Sequence, residues 1–255
     1  MFASIIFLFV ANKYYNEKNR ERVQAVAENY NKEIMDKAAE GKRIEDEKRA
    51  EEQAIYNKNK GKKLIYSPMG DSLSNGSFAS TENTKFVAVL SQLIKEKMGY
   101  DVQLENGAVK PGSGLKDNGI PNSQKVIFKH PNLVTIEFGT NDSSKVMDNA
   151  YSSPEEFKVR LSNLIDSIKS NADTKIILVT TWKSGYPVYD DIIKSVGEEK
   201  NIPVADISPI WHRNDTFGPE GRTTFIGKSD NWHPNDLGHK LIAETIFDKA
   251  YEILK

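Results

Sequence analysis

KLIYSP (Lys63 to Pro68), followed by Met69-Gly70-Asp71-Ser72-Leu73-Ser74-Asn75-Gly76, is the stretch on which the fold turns. The first part is a short apolar run of the length a buried strand needs. The second is a polar, glycine-bearing loop. The same succession recurs downstream. LVTIEF (Leu133 to Phe138) is a buried strand followed by Gly139-Thr140-Asn141-Asp142. KIILVT (Lys175 to Thr180) and IPVADI (Ile202 to Ile207) are further strands, and VQLEN (Val102 to Asn106) is a candidate second one. Helical patterns lie between them. Thr84 to Met98 carries Phe86, Val89, Leu90, Leu93 and Ile94 on one face. Ser153-Pro154-Glu155-Glu156 has the form of a capping box before Phe157, Leu161, Leu164, Ile165 and Ile168. Val188 to Val196 reads as a helix, and a last one starts at Asn235. Strands and helices in alternation predict an α/β domain with a mostly parallel sheet and helices on both faces. In such sheets ligands bind at the carboxyl ends of the strands.

Working outward, the N-terminal quarter is of another kind. Met1 to Ala11 (MFASIIFLFVA) is apolar except for Ser4, and is too short to span a bilayer alone. Three readings stay open: a short or clipped membrane anchor, which is favoured, a weak signal peptide, or a short buried helix. From about Asn12 to Lys63 the chain is dense in charges of both signs. Val23, Val26, Tyr30 and Ile34 form a thin stripe, Gly41 interrupts the pattern, and KNKGKK ends it. That combination predicts a solvated helical stalk. The expected organisation is therefore a short apolar segment (1–12), a charged helical stalk (13–63) and one α/β domain (64–255).

The 255 residues carry a net charge of −1, which gives no reason to expect nucleic acid as a partner. There is no cysteine, so disulfides, thiolate nucleophiles and cysteine metal sites are excluded. The histidines are His130, His212, His233 and His239, and any imidazole chemistry must use one of these.

The loops after the strands hold the groups an acyl transfer needs. Ser72 follows the first strand and Asn141 the third. Ser229-Asp230-Asn231-Trp232-His233-Pro234-Asn235 precedes the last helix. A serine hydroxyl is a weak nucleophile until a base takes its proton, and His233 can do that near neutral pH. Asp230, three residues earlier, can fix the imidazole tautomer and stabilise the imidazolium. The oxyanion of the tetrahedral intermediate needs preorganised donors; the Ser72 N–H, a glycine N–H and the Asn141 amide can supply them. Asp71 reads as a residue that positions the loop. Each block alone suits an ordinary turn or cap; their joint occurrence at strand ends is what points to catalysis.

These blocks resemble those of the SGNH, or GDSL, hydrolases. Gly70-Asp71-Ser72-Leu73 is similar to the family's nucleophile block, Gly139-Thr140-Asn141-Asp142 to its asparagine block, and Asp230-Asn231-Trp232-His233-Pro234-Asn235 with Gly238-His239 to its Asp-x-x-His block. The resemblance spans about Leu64 to Lys255. It implies a flavodoxin-like three-layer α/β/α sandwich, with Ser72 as nucleophile, His233 as base, Asp230 as its orienter and Asn141 as an oxyanion donor. It also implies no metal and no organic cofactor. The family's remaining glycine falls in Asn106-Gly107-Ala108-Val109-Lys110-Pro111-Gly112-Ser113-Gly114; Gly112 is the expected donor, with Gly114 close behind. No Gly-x-Ser-x-Gly elbow is present, which disfavours the α/β-hydrolase fold.

The expected function is hydrolysis of acyl esters, short-chain ones such as acetyl first, on a small molecule or a surface glycan. Trp182, Tyr186, Trp211 and Trp232 fall in or near the same loops and suit either sugar stacking or an apolar wall. An O-acyltransferase using the same triad and an inactive binding module are the alternatives. With an anchor the enzyme is expected outside the cytoplasmic membrane, tethered or secreted; without one, in the cytoplasm.

Overall fold

A computed structural model describes residues 2–170, 173–183 and 185–255, with side chains from Val10 onward. Contacts group the chain into two units, Met1–Ala54 and Ile55–Lys255.

The first unit is helical. Helix α1 (Phe2–Asn59) runs without a break through Gly41, where an interruption was expected. A helix-interior glycine costs only about 1 kcal/mol. Ion pairs of i,i+4 spacing lie on both sides of it: Lys37–Glu33, Arg43–Glu47 and Arg49–Glu45. Val23, Val26, Tyr30 and Ile34 are exposed, as a thin stripe on a charged helix implies. The apolar run that suggested an anchor lies largely outside the residues whose side chains are described. Among the described residues no helix is long and apolar enough to cross a membrane. The last turn of α1 belongs to the second unit, where Ile55 is buried.

The second unit is built on a parallel sheet in the order β2-β1-β4-β5-β6. Its strands are β1 (Lys63–Gly70), β2 (Asp101–Leu104), β4 (Leu133–Glu137), β5 (Lys175–Val179) and β6 (Val204–Ala205). The two-residue β3 (Ala108–Val109) pairs with the far end of β1. Successive side chains of a strand point to opposite faces. Leu64, Tyr66, Ile177 and Val179 therefore pack on one side against Phe86, Leu90 and Ile94 of α3 (Phe86–Met98) and Ile242 and Ile246 of α8 (Asp236–Leu254). Met69, Val134, Ile136 and Leu178 face the other side, against Phe157, Leu161 and Leu164 of α5 (Pro154–Lys169) and Ile193 and Val196 of α6 (Pro187–Lys200). Each such side chain contributes about 1.5–3 kcal/mol on burial. This is the three-layer α/β/α sandwich the sequence implied.

Local signals set the boundaries. The Ser153 N–H donates to Glu156 Oε2 and the Glu156 N–H to Ser153 Oγ, the expected capping box. Asn235 caps α8 by accepting from the Gly238 N–H at 3.1 Å. Gly99 ends α3 in the left-handed conformation (φ 82°). IPVADI forms a strand only at Val204–Ala205, because β6 is an edge strand and Pro203 has no N–H to give. Two helices flank the site loops: α2 (Ser72–Asn75) and α7 (Ser208–Trp211). The helix α4 (Ile120–Ile127) and the hairpin β7 (Thr223–Thr224) and β8 (Gly227–Lys228) complete the unit.

From β1 the chain moves outward to β2 and then returns to β4 on the other side of β1. The strand order thus reverses between β1 and β4, the switch point where a parallel sheet opens a crevice. Gly70 pairs in register with Glu137, so the segments that follow the two strands emerge side by side.

Candidate active site

Ser72 begins α2, directly past the end of β1. Asp71 caps this short helix by accepting from the Leu73 N–H at 3.0 Å. Ser72 and its loop therefore sit on a fixed turn and not on a free one. His233 comes from the loop before α8. Asp230 shapes that loop: its Oδ1 accepts from the backbone N–H groups of Trp232 and His233 at 2.9 and 2.8 Å. Its Oδ2 lies 2.7 Å from His233 Nδ1, and His233 Nε2 lies 2.9 Å from Ser72 Oγ. An ionised carboxylate accepts only, so Nδ1 carries the ring proton and Nε2 is left to accept from the serine hydroxyl. Burial works against the Asp230 charge, yet the His233 and Trp232 N–H groups and the imidazole hold its carboxyl below the ordinary range. The carboxylate is thus ionised at neutral pH, the state that can stabilise an imidazolium.

Aromatic edges fix the imidazole plane. Phe78 meets His233 at 5.1 Å between ring centres and Trp232 at 4.7 Å, both edge-on. Phe78 has a left-handed backbone (φ 50°), uncommon for a bulky residue. Arg222 holds its segment, donating to the Phe78 carbonyl and to Ser80 Oγ at 2.8 Å each. Ser80 in turn donates to Asp236.

Asn141, after β4, is brought to the same crevice. Its Nδ2 donates to Asp71 Oδ2 at 2.7 Å and to the Ser113 carbonyl at 3.0 Å. Both amide hydrogens are engaged. Gly112 stands in a turn at φ 70°, half-buried, and its N–H has no partner among the described residues. The Gly114 N–H donates to Asp117 Oδ1 at 2.8 Å, and a Cβ on Gly114 would meet the Asp142 carboxylate at 2.6 Å. Of the two candidate glycines only Gly112 keeps a donor to offer.

Three carboxyls lie buried beneath these groups. Asp142 accepts from the Leu115 and Gly139 N–H groups at 2.9 and 3.0 Å, and burial pushes its carboxyl up to about 7. Asp71 is fully buried, and burial outweighs its hydrogen bonds to push its carboxyl up to about 6. Glu137 is buried against Asp71, and desolvation and that neighbour both drive its carboxyl well above the ordinary range. Sequence reading missed Glu137 and Asp142 as parts of the site. The available signal was a glutamate inside the apolar run LVTIEF.

The other predicted neighbours lie elsewhere. Trp182 is fully buried and donates from its indole to the Trp232 carbonyl at 2.8 Å, so it supports the histidine loop and offers no face to a sugar. Trp211 and His212 stack on each other at 3.8 Å. With Tyr186, Asp190 and Asp191 they line a cavity of about 320 Å³ whose walls include none of Ser72, Asp230 or His233. His239 is buried; its Nδ1 accepts from the Phe86 N–H and its Nε2 faces the Ser77 carbonyl, which makes it a neutral tie between α8 and the nucleophile loop. Burial pushes its imidazole down to about 4. His130 is an exposed loop residue.

Comparison with known proteins speaks to the family and the fold. The family model described as GDSL-like Lipase/Acylhydrolase matches residues 66–246. The uncharacterised protein YpmR of Bacillus subtilis (strain 168) is 22% identical, over 72% of this chain and 80% of that protein. Among solved structures, a two-domain esterase active on acetylated mannans superposes with a TM-score of 0.61 at 21% identity, covering 76% of this chain and 50% of that one. This chain thus spans half the length of that two-domain enzyme. A family 3 carbohydrate esterase of Clostridium thermocellum gives 0.60 at 17% identity, covering 76% and 98%. A catalytic mutant of an acetylxylan esterase from Geobacillus stearothermophilus gives 0.56 at 20% identity, covering 75% and 94%. At these identities the structures speak to the fold, and the family rests on the model that takes in most of the α/β unit. The chain belongs to the GDSL-like lipase/acylhydrolase family and is a carboxylic ester hydrolase.

Proposed function

We propose that the chain is a serine esterase in which Ser72 is the nucleophile, His233 the base and Asp230 its orienter. The observation that carries this reading is the hydrogen-bonded line Asp230 Oδ2–His233 Nδ1 at 2.7 Å and His233 Nε2–Ser72 Oγ at 2.9 Å. Ser72 Oγ attacks the ester carbonyl as its proton passes to Nε2. The oxyanion that forms is met by backbone N–H groups, with Gly112 the free donor, and by Asn141. One Asn141 hydrogen leaves the Ser113 carbonyl for the oxyanion, while the shorter bond to Asp71 keeps the side chain in place. Loss of one such donor costs on the order of 10²–10³ in turnover. Collapse expels the alcohol, which takes its proton from His233. Water then attacks the acyl-enzyme with His233 again as base, freeing the acid and Ser72.

The acyl group is short, acetyl first, and the alcohol is a glycan hydroxyl. Phe78 and Trp232 crowd the imidazole, which suits a small acyl group better than a long chain. The structural relatives described as acting on acetylated mannans, or named as acetylxylan esterase, support the same class. In this reading α1 is the stalk and the apolar N-terminus a membrane tether, which places the enzyme outside the cytoplasm. The test is hydrolysis of p-nitrophenyl acetate and its longer homologues by the full chain beside Ser72→Ala. Turnover of acetate that Ser72→Ala lacks supports the proposal. Equal rates for the two proteins on every ester sink it.

A further inference from the structure

The floor of the site holds an arrangement that the triad does not use. Asp71 and Glu137, from the ends of paired strands, are both fully buried and in hydrogen-bond contact. The Asp71 N–H donates to Glu137 Oε2 at 3.3 Å, and Ser74 Oγ donates to the same oxygen at 2.9 Å. Gly70 makes room for this: a Cβ there would lie 2.1 Å from Ser74 Oγ and 2.6 Å from Glu137 Oε2. Neither carboxyl has a lysine or arginine partner among the described residues. The titratable groups that face the pair are Tyr66 on β1, Asp142 after β4 and, through Ser72, His233.

Two touching carboxyls cut off from water cannot both ionise. The placing of the donors says which one does. Asp71 receives the Leu73 N–H on Oδ1 at 3.0 Å and the Asn141 amide on Oδ2 at 2.7 Å, since the Ser72 hydroxyl is given to His233. Glu137 receives both its donors on Oε2, and its Oε1 is buried with no donor reaching it. A charge is better placed where both oxygens are served and the donors lie closer.

We infer that Asp71 and Glu137 are a proton-sharing pair, with the proton on Glu137 and the charge on Asp71, and that Glu137 is a positioning residue for Ser72 and Asn141. The ionised Asp71 grips the Asn141 amide and the first turn of α2; the protonated Glu137 donates to Asp71 and keeps that charge in place. Burial drives both carboxyls upward, as a pair that cannot ionise together requires. The catalytic part of the inference rests on Ser72 and Asn141 acting as proposed above; the shared proton does not.

The test has two readouts on the full-length protein. At about pH 9, where an ordinary carboxyl is ionised, infrared difference spectra should show the carbonyl stretch of a buried protonated carboxyl in the wild type. The band should persist in Ser72→Ala and vanish in Glu137→Gln. Should Glu137→Gln fail to fold, Ser74→Ala serves: it strips the hydroxyl from Glu137 Oε2 and must shift the band. On p-nitrophenyl acetate, Glu137→Leu should lose about 10²-fold in kcat with little change in KM, the scale of a displaced catalytic group. Glu137→Gln, which mimics the protonated acid, should recover most of that loss. No band in the wild type, a band that survives Glu137→Gln or ignores Ser74→Ala, or a Gln variant as impaired as Leu overturns the inference. A Ser72→Ala protein that remains active defeats the esterase mechanism instead, and leaves the infrared result to judge the pair.

Discussion

Replacing Asp142 with asparagine separates a buried charge from the hydrogen bonds around it. The Asp142 carboxyl, ordinarily near 3.8, is pushed up to about 7 by burial. Between those values the folded state holds a proton that the unfolded chain has released. The folded state therefore binds more protons, and this group's contribution to stability falls as pH rises through the window from about 4 to 7. The slope is about 1.4 kcal/mol per pH unit, so from about pH 5 to pH 8 the wild type loses about 3 kcal/mol on account of this carboxyl, and the loss levels off above 7. The asparagine of the variant does not titrate. It keeps one acceptor for the Leu115 and Gly139 N–H groups and turns an NH₂ toward the other, at a cost of about 1–3 kcal/mol at every pH. Urea unfolding of both proteins at about pH 5 and about pH 8 isolates the charge. Asp142→Asn should be the less stable protein at the lower pH, and the gap should close by about 3 kcal/mol at the higher one. A gap of the same size at both pH values would refute the claim that the Asp142 carboxyl is held neutral.

Other substitutions probe the rest of the site. Gly70→Ala puts a Cβ 2.8 Å from the Glu137 carbonyl as well as against Ser74 and the Glu137 side chain, and should cost roughly 1–3 kcal/mol or more by denaturant titration. Asp230→Asn, which no longer fixes the His233 tautomer, should lower kcat by up to about 10⁴-fold. The half-exposed setting of Asp230 argues for the smaller end of that range, and an unchanged kcat would remove Asp230 from the mechanism. Arg222→Ala frees the Phe78 segment from the Ser80 and Asp236 contacts. It should raise KM for short esters more than it lowers kcat, since it touches the wall of the site and not its proton path.

The alternation of strand and helix, the capping box at Ser153 and the Asn235 cap could be read from sequence because each is a local preference of a few residues. So could the blocks that carry Ser72, Asn141, Asp230 and His233, since each sits at the end of a recognisable element. Elements with no local signature escaped. β3 is two residues long and exists only because β1 offers it an edge. α4 begins at Ile120-Pro121 without a side-chain cap. Gly41 misled in the opposite direction: one glycine suggested a break that the ion-paired helix around it does not make.

Strand periodicity and loop chemistry are written along the chain, and they sufficed to place it in a fold class and to single out Ser72, Asp230 and His233 as candidates. How those residues are held follows from contacts between distant segments. The pairing of Gly70 with Glu137 sets two acids from distant segments against each other. Burial, and not spacing, raises Asp71 and Asp142. Asp117 occupies the N–H of Gly114 and leaves Gly112 free. Asn141, which looked like a free donor, is held by Asp71 and Ser113. Each of these depends on which groups meet in space and how far water is excluded from them, and no local stretch of chain encodes that.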